Sequence, residues 1–170
     1  MPEVLYQAKR FRIERVVQQA TDGTEHFKEI VRHPGAVTIL PLLNDGRICF
    51  VENYRVAVER RMVELPAGTL EPTEEPLVTA RRELIEETGY RAEHIEHLAT
   101  FAMSPGILDE KMYFYLATSL TPGAMALEAG EDIRVLLLRW EEALEWVRDG
   151  RIYDAKSVAG LLYYQAFCKP

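Results

Sequence analysis

The stretch from Gly68 to Tyr90 constrains this chain more than any other. It carries Glu83, Glu86 and Glu87 in one short segment, entered after Gly68 and closed by Gly89. The spacing predicts a helix over residues 73–88, with Thr73 as N-cap, Pro76 in the first turn and Gly89 past the end. At about 100° per residue, Leu77, Ala80 and Leu84 then share a face that packs on a sheet. Glu83, Glu86 and Glu87 fall on the neighbouring face. Side chains spaced three and four apart lie about 5–6 Å from each other at Cβ, so like charges there repel. Hard oxygen donors grouped this way suit Mg2+ or Mn2+, with water and phosphate oxygens completing the shell. A solvated acidic face is the other reading of a bare cluster. The flanking residues argue against it: Arg82 can pair with Glu74 or Glu86, Gly68 lets the backbone approach a ligand, and Ala67 offers a carbonyl beside it.

The rest of the chain reads as strands mixed with few helices. Residues 10–20 and 25–32 form an N-terminal hairpin around Thr21-Asp22-Gly23-Thr24. Strands follow over 36–43, 47–53, 61–65, 94–103, 111–119 and 133–140, and helices over 141–149 and 155–167. No repeat, low-complexity tract or linker interrupts them, and 170 residues suit a single domain over 1–170 with one substantial core. The pattern is α+β, a sheet covered on both faces. A net charge of −7 argues against nucleic acid as partner, while an acidic pocket can still hold a phosphorylated molecule if divalent ions reverse the local field. No apolar run reaches the roughly 18 residues of a membrane span. The N-terminus lacks a signal peptide's apolar segment, so a cytoplasmic protein is expected. Cys49 and Cys168 are too few and too distant for a disulfide framework or metal knuckle.

The segment from Gly68 to Gly89 resembles the Nudix box, glycine-x5-Glu-x7-Arg-Glu-aliphatic-x-Glu-Glu-x-glycine-aliphatic. Gly68, Glu74, Arg82, Glu83, Leu84, Glu86, Glu87 and Gly89 meet every fixed position, and Tyr90 departs mildly at the last aliphatic place. Resemblance to Nudix hydrolases implies an α/β/α sandwich with a mixed β-sheet and, here, an N-terminal β-hairpin extension. It implies hydrolysis of a nucleoside diphosphate linked to another group, with Mg2+ as cofactor and Mn2+ or Zn2+ as substitutes. By the same resemblance Glu83, Glu87 and the Ala67 carbonyl are metal ligands, and Glu86 binds metal or orients its water.

Outside the box the chain is similar to ADP-ribose pyrophosphatases. The likeness runs through Arg32-His33-Pro34-Gly35-Ala36-Val37, Asn53-Tyr54-Arg55, Val63-Glu64-Leu65-Pro66, Ser104-Pro105-Gly106 to Asp109-Glu110, and Ile152-Tyr-Asp-Ala-Lys-Ser157. It implies attack of a metal-activated water on ADP-ribose, giving AMP and ribose 5-phosphate. Arg55 is a surface charge or a diphosphate contact. Ser104 and Gly106 belong to a turn or to a rigid substrate loop, and the subfamily likeness assigns Glu110 to the hydroxyls of a terminal ribose. The catalytic base is Glu128 on the following loop or Glu83 or Glu86 on the helix; Glu131 and Asp132 share that loop. The family commonly forms homodimers by exchanging N-terminal strands, which puts Phe27, Glu29 and Arg32 near a nucleobase. Other readings are a pyrophosphatase for another nucleoside diphosphate sugar, NADH or FAD, and a non-hydrolytic ADP-ribose-binding module. The extended aromatic motif of NADH pyrophosphatases is absent, and the intact acids speak against a mere binder.

Overall fold

The computed structural model describes residues 2–127 and 132–169. In chain order the elements are β1 (Glu3–Gln7), β2 (Arg12–Gln19), β3 (Glu25–Arg32), β4 (Ala36–Pro41), β5 (Ile48–Arg55), β6 (Arg60–Glu64), β7 (Ala67–Thr69), α1 (Pro76–Thr88), β8 (Arg91–Ala102), β9 (Lys111–Thr121), β10 (Ile133–Leu138), α2 (Trp140–Arg148) and α3 (Ala155–Phe167). A single 3-10 turn, Val56–Val58, joins β5 to β6.

Turn chemistry makes the β2–β3 hairpin. The Asp22 carboxylate accepts from the Thr24 amide at 2.9 Å, and Gly23 takes a φ of 84° that a side chain would resist. The expected N-terminal hairpin is in fact a three-stranded antiparallel sheet, because β1 adds to the free edge of β2. Every β1 residue is exposed, so no apolar alternation marks the strand in sequence. Cross-strand partners hold it instead, among them Glu3 with Arg15 at 3.3 Å.

The body contains a mixed sheet, β7-β4-β9-β8, in which β4 and β9 run parallel, and an antiparallel sheet, β10-β5-β6. Period-two alternation along β4 splits the core. Val37 and Ile39 pack with Ala80 and Leu84 of α1 and with Tyr115, Ala117 and Leu120. Leu40 belongs to the opposite layer with Phe114, Leu161 and Tyr164. Helices on both faces give the α/β/α sandwich that the resemblance implies. Gly160 brings α3 directly onto the sheet, since an added Cβ would lie 2.7 Å from a Phe114 ring carbon. Burying a ring such as Phe114 contributes about 1.5–3 kcal/mol.

Three local expectations change. α1 begins at Pro76 after an extended Glu75, and Thr73 sits in a left-handed turn at φ 69° rather than capping the helix. The Glu74 carboxylate organises that turn by accepting from the Thr79 hydroxyl at 2.9 Å. Leu77 is 39% exposed, while Ala80 and Leu84 are fully buried, so the apolar face begins one turn later than expected. β7 is a strand beyond those expected from the sequence. Of Ala67, Gly68 and Thr69 only the threonine favours a strand, and pairing with β4 makes the segment one. Among the described residues no helix is long and apolar enough to cross a membrane.

Candidate active site

α1 aims its acidic face into a cleft of about 860 Å³. Glu83, Glu86 and Glu87 line one side with Arg82, Ala67 and Gly68. Arg55, Asp154 and Lys156 line another, and Glu110, Asp109 and His33 a third. The turn between β1 and β2 adds Lys9, Arg10 and Phe11.

Arg82 offsets part of the acids' charge. Its Nη1 donates to Glu83 at 2.7 Å and to Glu86 at 2.9 Å, and its Nε and Nη2 reach Glu74 at 3.3 and 3.1 Å. The bond to Glu74 chiefly, with Glu83 and Glu86 adding, holds the guanidinium proton far more tightly than usual. Glu74 is correspondingly shifted below the ordinary carboxylate range, by the bond from Arg82 first. Both partners foreseen for Arg82 are therefore met, with Glu83 as a third.

Glu87 is 4% exposed, and its Oε2 accepts from the Ala67 amide at 3.0 Å. The ladder bonds of β4 with its neighbour fall at Ile39 N to Pro66 O and Leu70 N to Gly35 O. This alternation turns the N–H and C=O of Ala67 away from β4, so the amide goes to Glu87. Gly68 has no room for a side chain: a Cβ there would lie 1.8 Å from Glu83 Oε1. The glycine is what lets Glu83 lie against β7.

The donor set fits a hard divalent cation. Glu83, Glu86 and Glu87 are oxygen ligands beside a backbone turned outward at Ala67, and their charge already draws in a cation, Arg82. Among the described residues no three acidic or metal-ligating side chains converge as a ready cage, because Arg82 pulls Glu83 and Glu86 toward itself while Glu87 bonds Ala67.

Glu110 lies in the cleft with a carboxylate oxygen 3.5 Å from His33 Nδ1, the nitrogen that accepts from the Gly35 amide. Asp109 bonds the Arg32 guanidinium at 3.0 Å and the His33 amide at 2.8 Å. These bonds tie the 104–110 loop to β3. Ser104 and Gly106 lie outside the cleft, on an exposed turn where the Ser104 carbonyl accepts from the Ile107 and Leu108 amides. Glu29 also lies outside, ion-paired with Arg15 at 3.1 Å, and Phe27 is 64% exposed on the same sheet. Arg32 does reach the cleft. Glu128 and Glu131 lie outside the described residues. The chain leading toward them is anchored on α1, where the Ala126 amide donates to the Glu86 carbonyl at 3.1 Å.

The NUDIX domain profile matches residues 32–159, which span α1, both body sheets and the start of α3. The chain belongs to the NUDIX domain family. The chain is 44% identical to a "Methanol dehydrogenase activator" of Bacillus methanolicus over 85% of its own length and 79% of that protein's. It is 41% identical to an "ADP-ribose pyrophosphatase" of Bacillus subtilis (strain 168) over the same shares. The crystal structure of an ADP compounds hydrolase superposes with a TM-score of 0.85 at 22% identity, covering 98% of this chain and 91% of that one, which shows the fold.

Two charged residues at the site escaped sequence reasoning. Glu64 lies behind the cleft, 1% exposed, and Lys156 lines it at 7% exposed. A charged residue between Val63 and Leu65 in a strand, and a lysine on the buried side of an amphipathic helix, are the signals that mark them.

Proposed function

We propose that this NUDIX protein hydrolyses the diphosphate of ADP-ribose to AMP and ribose 5-phosphate. The observation that carries the reading is one cleft in which an acidic helix face meets a guanidinium wall. Such a pairing suits a substrate that is itself a chain of anions needing both counter-ions and orientation. ADP-ribose is favoured among diphosphates by the similarity to the pyrophosphatase of Bacillus subtilis.

In this reading Glu83, Glu86, Glu87 and the Ala67 carbonyl hold Mg2+, with Mn2+ or Zn2+ as substitutes. The bound ion lowers the pKa of a water and offsets charge on the diphosphate oxygens. Arg82 keeps Glu74 as a partner when Glu83 and Glu86 turn to the ion, so it need not leave the site. Gly68 keeps Glu83 close to the backbone. Arg55 orients the diphosphate through its guanidinium. A carboxylate takes the proton from the attacking water: Glu83 or Glu86 on α1, or Glu128, two residues beyond Ala126 in sequence. Glu110 accepts from the hydroxyls of the terminal ribose, and the turn of Ser104 and Gly106 shapes the loop that presents it.

The chain acts as a single domain over 1–170 and as a homodimer. Val4, Tyr6, Val17 and Phe27 of the N-terminal sheet are exposed, and this supports an interface that would bring Glu29 toward a partner's nucleotide. The free thiols of Cys49 and Cys168 suit a cytoplasmic location.

AMP release from ADP-ribose on addition of Mg2+ tests the activity, with GDP-mannose, NADH and FAD run alongside. Faster turnover of one of those compounds reassigns the substrate, and tight binding of ADP-ribose without turnover makes the chain a binder. A second reading, stimulation of a dehydrogenase, follows from the 44% identical relative. It is tested by adding the protein to a dehydrogenase assay.

A further inference from the structure

A buried ion-pair network closes the wall that faces α1. Glu64 accepts from Arg55 Nε and Nη2, each at 2.7 Å, and from Lys156 Nζ. Lys156 Nζ also donates to Asp154 at 2.8 Å. Asp154 caps α3 by accepting from the Ser157 amide at 3.1 Å and from its hydroxyl at 2.6 Å. The Ser157 oxygen in turn accepts from the Leu65 amide at 2.7 Å. One run of bonds therefore ties β5, β6 and the start of α3. Burial opposes ionisation of Glu64, but the Arg55 and Lys156 contacts outweigh it and keep the carboxyl below its ordinary range.

Stability alone explains this network poorly, because an apolar set of similar volume commonly serves a core as well as a buried ion pair does. The placement of the cations adds a reason. Glu64 lies behind, whereas Arg55 and Lys156 both open onto the cleft that holds the acids of α1. An ammonium has three N–H donors and a guanidinium five. Glu64 and Asp154 engage two directions of Lys156, and Glu64 engages Nε and Nη2 of Arg55. Each cation thus retains donor capacity after its carboxylates are satisfied. The two cations and two carboxylates cancel, so the wall can face open water when empty and still offer N–H groups to an incoming anion. Arg supplies planar two-point contacts and Lys a compact charge, a combination that suits two adjacent phosphoryl groups.

We propose that Lys156 is a second diphosphate-binding cation, held beside Arg55 by the buried carboxylate of Glu64. The start of α3 is then part of the substrate site, and Glu64 is a positioning residue acting through both cations. The inference rests on the diphosphate reading given above.

The test uses Lys156→Met, Lys156→Arg and Glu64→Gln in the full chain, with inorganic pyrophosphate in EDTA as a calorimetric probe of the metal-free wall. Wild type is expected to bind it. Lys156→Met should weaken that binding about tenfold, and Lys156→Arg should stay within about threefold of wild type. With ADP-ribose and Mg2+, Lys156→Met should raise KM with kcat held within about threefold. The double variant Glu64→Gln/Lys156→Met should be no worse than the worse single one, because both act on the same cation pair. Equal pyrophosphate binding by wild type and Lys156→Met overturns the inference, as does a wild type that does not bind the probe. A loss of binding that follows a fall in Tm and is not rescued by Lys156→Arg overturns it too, leaving Lys156 a structural residue. Absence of turnover on every diphosphate with Mg2+ sinks the activity instead, while a Lys156-dependent pyrophosphate site would stand.

Discussion

The two charged walls of the cleft are built in opposite ways. Glu83 and Glu86 on α1 and Glu74 in the turn before it share one guanidinium, Arg82, so negative charge is left over and the side chains remain partly exposed. Across the cleft, Arg55 and Lys156 are matched by Glu64 and Asp154, and Glu64 is almost wholly buried. The first wall is unbalanced and therefore poised to take up a cation. The second is balanced and preorganised, and so can take an anion with little rearrangement. A surplus of charge on one helix thus signals reactivity, whereas a hidden, neutral network signals alignment.

Removing ligands from the unbalanced wall should have the largest effect. Glu83→Gln or Glu87→Gln is expected to lower kcat/KM for ADP-ribose by about 100-fold or more, measured as AMP release with Mg2+. Tm should hold or rise, because one member of a repelling set is gone. Turnover near wild type in either variant would break the contrast between the walls.

Gly68→Ala probes the same wall through its backbone. The new Cβ would lie 1.8 Å from Glu83 Oε1, so Glu83 must move. A loss of about tenfold in kcat is expected, with Mg2+ affinity reduced, since a displacement near 1 Å at a reacting centre is costly. An unchanged metal titration would show that Glu83 does not need its place against β7.

Arg82→Gln tests the neutralisation. It leaves Glu74, Glu83 and Glu86 facing one another, and a loss of about 1 kcal/mol is expected for this partly exposed cluster. For a chain of this size that lowers Tm by about 2–4 °C. Saturating Mg2+ should recover most of it, as read by thermal melts with and without the ion.

The balanced wall should show itself in acid. Glu64 has a folded pKa held below its ordinary 4.5 by Arg55 and Lys156 against the opposing effect of burial. A depressed carboxyl adds stability above its unfolded pKa and loses it as pH falls through the folded value. Denaturant unfolding at several pH values should therefore find wild type losing stability below about 4.5, the slope being flatter in Glu64→Gln. Parallel slopes would mean that Glu64 contributes no more than its neighbours.

Much of α1 was legible because its relations are local. Residues three and four apart meet on any regular helix, so the pairing of Arg82 with Glu86 and the grouping of Glu83, Glu86 and Glu87 followed from spacing. Leu77 was misplaced for a related reason: periodicity gives the direction of a face but not where the sheet beneath it ends. Glu29, Ser104 and Gly106 were picked out by likeness, and the fold leaves them outside the cleft of a single chain.

Sequence alone determined that one helix would carry a repelling set of acids between two glycines, since helical geometry relates neighbours within a turn whatever surrounds them. Tertiary structure decided what stands against that helix. Lys156 reaches Glu64 across 92 residues, and Ala67 reaches Glu87 across 20. β1 and β7 become strands only because β2 and β4 have free edges to offer. Such contacts depend on strand register and on how closely Gly160 seats α3 over Phe114. Those distances are set by packing of the whole core and have no local signature.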